Sequence, residues 1–267
     1  MIPDYHIHTS RCGHASGRIN EYVEEALKKG FEEIGFSDHI PMYWLPEEGR
    51  DPGLAMGRED FPLYITEVLK LRDQYPDLGI RLGVEVDYMP GEEITAAKVL
   101  SGHPLDYVIG SVHYIEGWGF DNPFLVDEYS RHDLEDLYSR YFELLCGAAE
   151  SGLFDTMGHP DLLKKFGHRT PVAPLELYRR AAVAFARAGV CVEVNTSGLR
   201  VPAEEIYPSL EFLRLCRVEG VPAVTGSDAH APHLVGADFS EARALLKEAG
   251  YKEVAMFRDM KRVMVKI

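Results

Sequence analysis

Tyr5-His6-Ile7-His8 sets two imidazoles two residues apart at the end of a short apolar run, near the start of a 267-residue chain. Successive side chains of a strand point to opposite faces, so His6 and His8 face the same way. The pattern returns in Ser37-Asp38-His39, Gly83-Val84-Glu85-Val86-Asp87, Ser111-Val112-His113, Gly158-His159 and Ser227-Asp228-Ala229-His230, each closing an apolar run. Imidazole is the commonest metal ligand among side chains, and His and carboxylate groups gathered at strand ends point to coordinated cations rather than packing. Any one cluster alone reads more simply as a helix cap or a surface hydrogen bond. Together they weigh the other way, because a core has no packing use for polar groups at every strand end.

The strands expected from these runs are Tyr5–His8, Glu33–Ser37, Arg81–Asp87, Tyr107–Val112, Thr156–His159, Val190–Asn195 and Ala223–Ser227. Helical patterns fall between and after them at Ile19–Lys29, Glu59–Gln74, Glu93–Ser101, Asp133–Ser151, Pro174–Ala188, Ala203–Glu219 and Phe239–Ala249. Such alternation predicts an α/β protein with a parallel sheet, and by itself leaves barrel and open sheet undecided. In a barrel the C-terminal strand ends converge, so ligands more than two hundred positions apart can meet. Val254–Phe257 reads as an eighth strand or as a tail packed on the barrel. The irregular stretches Ile40–Arg58 and Tyr114–His132 each follow a candidate ligand and are candidate walls of a substrate pocket.

Composition narrows the function classes. The chain is 46% apolar and 27% charged with a formal charge of −15, which fits a solvated acidic surface and argues against a nucleic-acid partner, since no Lys/Arg stripe is present. No apolar stretch approaches the ~18 residues of a membrane span. The opening Met1-Ile2-Pro3-Asp4 lacks the basic and apolar regions of a signal peptide, so the expected location is the cytoplasm. Cys12, Cys146, Cys191 and Cys216 form no C-x-x-C pair, which fits a reducing compartment. Three read as core fillers, and Cys12, inside the first His cluster, as a residue near metal. His103, His132 and His168 read as surface residues and His233 as a residue at the pocket edge. Oligomeric state is not legible.

The set His6-x-His8-Thr9, His14, Asp38-His39, Glu85, His113, His159 and Asp228-x-His230 resembles the polymerase and histidinol phosphatase (PHP) superfamily of metal-dependent phosphoesterases over essentially the full chain. Cys12-Gly13-His14-Ala15, Gly35-Phe36-Ser37-Asp38-His39-Ile40-Pro41, Gly110-Ser111-Val112-His113-Tyr114, Gly158-His159-Pro160-Asp161 and Asn195-Thr196-Ser197-Gly198-Leu199-Arg200 are similar to its monofunctional histidinol-phosphate phosphatases. The resemblance implies one domain over residues 1–267, a distorted seven-stranded TIM-like (β/α) barrel with three divalent metals at the C-terminal face. His6, His8, Glu85 and Asp228 would hold the first, Glu85, His113 and His159 the second, and His14, His39 and His230 the third. The family often has Asp where His14 stands, and a third imidazole favours zinc or iron(II), with manganese still admitted.

The implied activity is hydrolysis of a small phosphate ester, L-histidinol phosphate. Two cations about 3.5–4 Å apart share a water and lower its pKa towards about 7, so the expected reaction is attack of that hydroxide on phosphorus. Glu85, Asp228 and His230 form the expected catalytic set, with Asp228 or a metal-bound water expected to protonate the leaving alkoxide. Arg200 and Lys164 are the expected further phosphate contacts. Glu116, Asp161 and Asp38 are expected to meet the cationic end of the substrate, and Trp118 and Phe120 its ring. Alternatives are a 3′–5′ exonuclease or general phosphoesterase, and a non-catalytic metal-binding domain.

Overall fold

The computed structural model describes residues 2–258 and 260–267. Among them seven parallel strands follow one another in chain order around a barrel: β1 (Asp4–Ile7), β2 (Glu33–Phe36), β3 (Gly79–Asp87), β4 (Tyr107–Ser111), β5 (Thr156–Met157), β6 (Cys191–Asn195) and β7 (Ala223–Gly226). The intervening helices are α1 (Ile19–Lys29), α2 (Asp60–Gln74), α3 (Glu93–Leu100), α4 (Leu134–Glu150), α5 (Leu175–Ala188) and α6 (Leu210–Val218), with α7 (Phe239–Glu248) after β7. Each helix buries one stripe against the strands: in α1, Ile19, Tyr22, Val23 and Ala26 recur at helical spacing and are buried. The ring closes just beyond β7, where the His8 N–H donates to the Ala229 carbonyl (3.0 Å) and the Ala229 N–H to the His6 carbonyl (3.1 Å). Closure therefore runs through candidate ligands.

Strand β1 is bulged. Asp4 pairs with Ile34 and Ile7 with Phe36, so three steps on β1 span two on β2. The extra residue re-aims the strand, so that Tyr5 packs in the barrel floor while His6 joins His8 in one imidazole group, ring centroids 5.0 Å apart.

Two expectations change. The Ala203–Glu219 helix begins only at Leu210, because Pro208 lacks an N–H and biases Tyr207 away from helical angles. Tyr207 instead pairs with Asn195 at the end of β6, N–H to carbonyl both ways at 2.7 and 3.0 Å. Val254–Phe257 is not a barrel strand: it lies in β8 (Glu253–Arg258), which forms an antiparallel hairpin with β9 (Lys261–Lys266).

That hairpin plugs the N-terminal end of the barrel. Ala255 and Phe257 pack against Tyr5, Tyr107, Ile109, Cys191 and Val224, and the Phe257 ring stacks on Tyr107 with centroids 5.6 Å apart. The lumen has room for Tyr107 only because neighbouring strands lack side chains there: a Cβ on Gly83 would lie 2.2 Å from its ring, and one on Gly35 2.3 Å from its hydroxyl.

A candidate metal centre at the C-terminal rim

At the other end of the strands the polar residues gather around Glu85, which is 1% exposed. Its two oxygens serve different groups. Oε2 lies 3.1 Å from His6 Nε2, 3.4 Å from His8 Nε2 and 3.2 Å from His39 Nδ1. Oε1 lies 2.9 Å from His159 Nε2 and 3.6 Å from His113 Nε2, and accepts a hydrogen bond from Ser111 Oγ at 2.6 Å. Asp228 Oδ1 completes the first group, 3.3 Å from His8 Nε2 and 3.8 Å from His6 Nε2. A third group forms where His14 Nε2 meets His230 Nε2 at 2.9 Å, with the His39 ring 5.6 Å from that of His14.

Ligands bound at about 2.0–2.2 Å in tetrahedral geometry stand roughly 3.3 Å from one another, and most of these separations lie near that value. Several groups of three, among them His6-His8-Glu85, His6-His159-Asp228 and His8-His39-His230, bring one donor atom each within 4.8 Å of the others. His8 is fully buried and neither of its ring nitrogens has a hydrogen-bond partner, and His159 Nδ1 has none either. Buried nitrogens are costly when unpaired, and a cation facing His8 Nε2 would remove that cost. The donor set, nitrogen with carboxylate oxygen, suits zinc, iron or manganese.

Electrostatics fit the same occupant. Burial alone would lift the Glu85 and Asp228 pKa values, yet the surrounding histidines hold both well below the ordinary range. Burial would lower His6, but Glu193, Glu85 and Asp228 outweigh it and raise it well above normal. The carboxylates thus draw protons to positions that cations would take, and metal binding would displace those protons. Burial, followed by the charge of His8, depresses His230 to about 3, so its imidazole is neutral and its lone pair free. Two candidate ligands sit in the left-handed region, His159 at φ 24° and Asp228 at φ 54°, which costs conformational energy that surrounding structure must hold.

Some supporting residues were not singled out from sequence. Glu193 on β6 is buried, accepts from His6 Nδ1 at 2.6 Å and from the His159 N–H at 2.5 Å, and so orients two candidate ligands from beneath. Asp87 does the same for His113 Nδ1 at 2.7 Å. The available signal was an acidic residue inside a wholly buried strand, Cys191-Val192-Glu193-Val194-Asn195.

The expected substrate contacts fall elsewhere. A cavity of about 330 Å³ over the candidate ligands is lined by Asp121, Leu162, Lys165, Ser197, Val201 and Tyr207 besides seven of those candidates. Lys164 is not among them: it is 1% exposed, its Nζ 2.8 Å from both Asp161 and Glu205. Asp161 is buried in that pair and accepts from the Ser209 N–H. Asp38, also buried, accepts from the Thr9 N–H at 2.7 Å and from its hydroxyl, fixing the turn after β1. Arg200 reaches Asp238 at 2.9 Å and the Ser227 carbonyl, one residue before Asp228. Glu116 stands at the tip of the two-residue turn between Tyr114–Ile115 and Trp118–Gly119 and pairs with Arg140 at 2.7 Å. Trp118 stacks on His132, and Phe120 is fully buried against Tyr141. His233 is exposed and is not a lining residue of this cavity. The two long loops do form walls: a wider adjoining space of about 530 Å³ is lined by Asp51 and Leu54 from one and by Tyr114, Asp121, Phe124 and Leu125 from the other.

Residues 4–197 match the PHP domain family. A Deinococcus radiodurans protein named "Probable histidinol-phosphatase" is 43% identical over 97% of both chains. The Bacillus subtilis protein named histidinol-phosphatase is 34% identical, covering 87% of this chain and 95% of its own. The crystal structure of histidinol phosphate phosphatase from Lactococcus lactis, complexed with zinc, L-histidinol and phosphate, superposes with a TM-score of 0.84 at 24% identity over 98% of each chain, a likeness of fold.

Proposed function

The chain belongs to the PHP domain family, and from that premise we propose that it is a metal-dependent phosphomonoesterase that hydrolyses L-histidinol phosphate to L-histidinol and phosphate. The observation that carries the chemistry is the buried Glu85 carboxylate with each oxygen committed to a different imidazole group. Full-length identity to proteins named histidinol-phosphatase supports the substrate. The proposed ligands are His6, His8, Glu85 and Asp228 for one cation, Glu85, His113 and His159 for a second, and His14, His39 and His230 for a third, with zinc or iron(II) preferred.

Divalent cations held there would lower the pKa of a water and neutralise the charge that develops on the phosphoryl oxygens. The chain's own groups do the rest. Glu193 and Asp87 hold the rings of His6 and His113 at fixed angles through their Nδ1 atoms. Asp228, 15% exposed at the cavity edge and accepting from Ser197 Oγ at 3.2 Å, would relay a proton from a water to the leaving alkoxide, since the surrounding histidines keep it ionised at rest. Lys165 lines both parts of the cavity and takes the phosphate-facing role first expected of Lys164, while Arg200 braces the chain at Ser227 ahead of Asp228. Of the carboxylates in the wider space, Asp121 pairs with Lys165 Nζ at 3.1 Å and Asp87 with His113, which leaves Asp51 for a substrate ammonium, with Tyr114 and Phe124 lining the same space for its ring.

Among the described residues no helix is long and apolar enough to cross a membrane. We place the enzyme in the cytoplasm, acting on a small molecule through residues 1–267 as one unit. The deciding assay measures phosphate release from histidinol phosphate, a nucleotide panel and single-stranded DNA by chelated protein and by protein reloaded with zinc, iron(II) or manganese. Metal-dependent turnover highest on histidinol phosphate is expected. Faster cleavage of DNA would replace this reading with the exonuclease one, and no turnover with full metal would leave a binding domain.

A further inference from the structure

Cys12 is left over by the ligand sets above, yet it sits against them. It is fully buried, at the end of a short turn (Ser10–Cys12) whose first residue is capped by Thr9. The turn has no freedom to swing, because Thr9 is tied to Asp38 and a Cβ on Gly13 would lie 1.9 Å from the Pro52 carbonyl oxygen. In that position Cys12 Sγ and one donor nitrogen each of His14 and His230 lie within 4.8 Å of one another.

A second observation points to an occupant between those nitrogens. His14 Nδ1–H donates to the carbonyls of Cys12 and Gly53, both at 3.0 Å, and His230 Nδ1–H donates to the Asp228 carbonyl at 3.1 Å. A carbonyl only accepts, so in their neutral forms both rings carry the proton on Nδ1. Their Nε2 lone pairs then face each other at 2.9 Å, an unfavourable arrangement until positive charge lies between them.

Resting on the metal-centre reading above, we propose that Cys12 is a thiolate ligand of the third cation, sharing it with His14, His39 and His230. A sulfur donor is soft, and its presence in one of three sites makes that site discriminate for zinc or iron(II) against magnesium and manganese. The site gains by the same step a negative charge among three imidazoles that carry none of their own when bound to metal.

The test is spectroscopic. Chelated full-length protein is titrated with cobalt(II), whose near-ultraviolet charge-transfer band requires a bound thiolate, and zinc-loaded protein is examined by X-ray absorption for a sulfur neighbour at about 2.3 Å. The wild type is expected to show both signals. Cys12→Ser is expected to lose both while keeping the visible cobalt bands of nitrogen ligation, with zinc occupancy at the weakest site falling about tenfold or more at limiting metal. Cobalt bound to wild-type protein without the charge-transfer band, or a band that survives in Cys12→Ser, overturns the assignment. The wild-type spectra decide even if the variant fails to fold. Phosphate release from histidinol phosphate in the same samples separates the two claims: a thiolate band in a protein inactive on that ester upholds the ligand and removes the proposed substrate.

Discussion

The two ends of the barrel are built from the same strands and have opposite chemistry. At the N-terminal end the lumen is closed by Tyr5, Tyr107 and Phe257, whose polar atoms are satisfied: the Tyr107 hydroxyl donates to the Tyr5 carbonyl at 2.7 Å, and the Tyr5 hydroxyl accepts from the Phe257 N–H at 3.0 Å while donating to Glu33. At the C-terminal end seven histidines and two carboxylates crowd within a few ångströms, with buried ring nitrogens unpaired. One end spends its residues on packing, and the other holds groups that repel or desolvate one another. The difference teaches how one fold divides its tasks: a cup of crowded, unpaired polar groups needs a floor stable enough to carry it.

That contrast is open to direct attack, most severely at its centre. Glu85→Gln removes the one carboxylate that both imidazole groups share, and kcat is expected to fall about a thousandfold or more together with metal content. Near-normal turnover at full occupancy would dissolve the scheme. Phe257→Ala acts at the other pole, where a truncated buried ring costs roughly 3–5 kcal/mol. Urea unfolding should report that loss while kcat of the folded fraction stays within about twofold. A large change in metal affinity would mean that the ends are coupled after all.

Glu193→Gln probes the boundary between the two regions. It leaves every proposed ligand in place but weakens the partner of His6 Nδ1, so metal affinity should drop about 10–100-fold with little change in unfolding free energy. Competition with a fluorescent chelator measures the first and urea titration the second.

The smallest effect is expected from Asp155, at the foot of β5, where burial raises its pKa to about 6 although it accepts from the Val108 N–H at 2.8 Å. Its folded-state pKa exceeds the ordinary value of 3.8, so the folded protein binds the extra proton. The stability this group contributes is complete below about pH 4 and fades as pH rises through 6. In Asp155→Asn the change in unfolding free energy between pH 5 and pH 7 should shrink, by on the order of 1 kcal/mol. An unchanged slope would refute the assignment.

How much of this was written in the chain can be seen from neighbours in it. Lys164 and Lys165 are adjacent and chemically identical, yet one is buried between Asp161 and Glu205 and the other lines the cavity. Nothing local distinguishes them, because the turn that separates them is positioned by packing. Glu116 likewise follows a strand-end motif, but the turn it occupies carries it out to solvent against Arg140. Phe257 read equally well as strand or tail, and its role as a plug depends on the shape of the lumen it fills.

The sequence by itself determined the repeating strand and helix pattern, the seven strands, and which polar residues end them, since periodicity and residue type are local properties. Only the tertiary structure decided that the ring closes through His6 and His8 to Ala229, that a bulge in β1 turns Tyr5 to the floor and His6 to the rim, and which loop side chains reach the cavity. Those outcomes depend on how distant segments press on one another, a many-body packing problem that no single window of residues encodes.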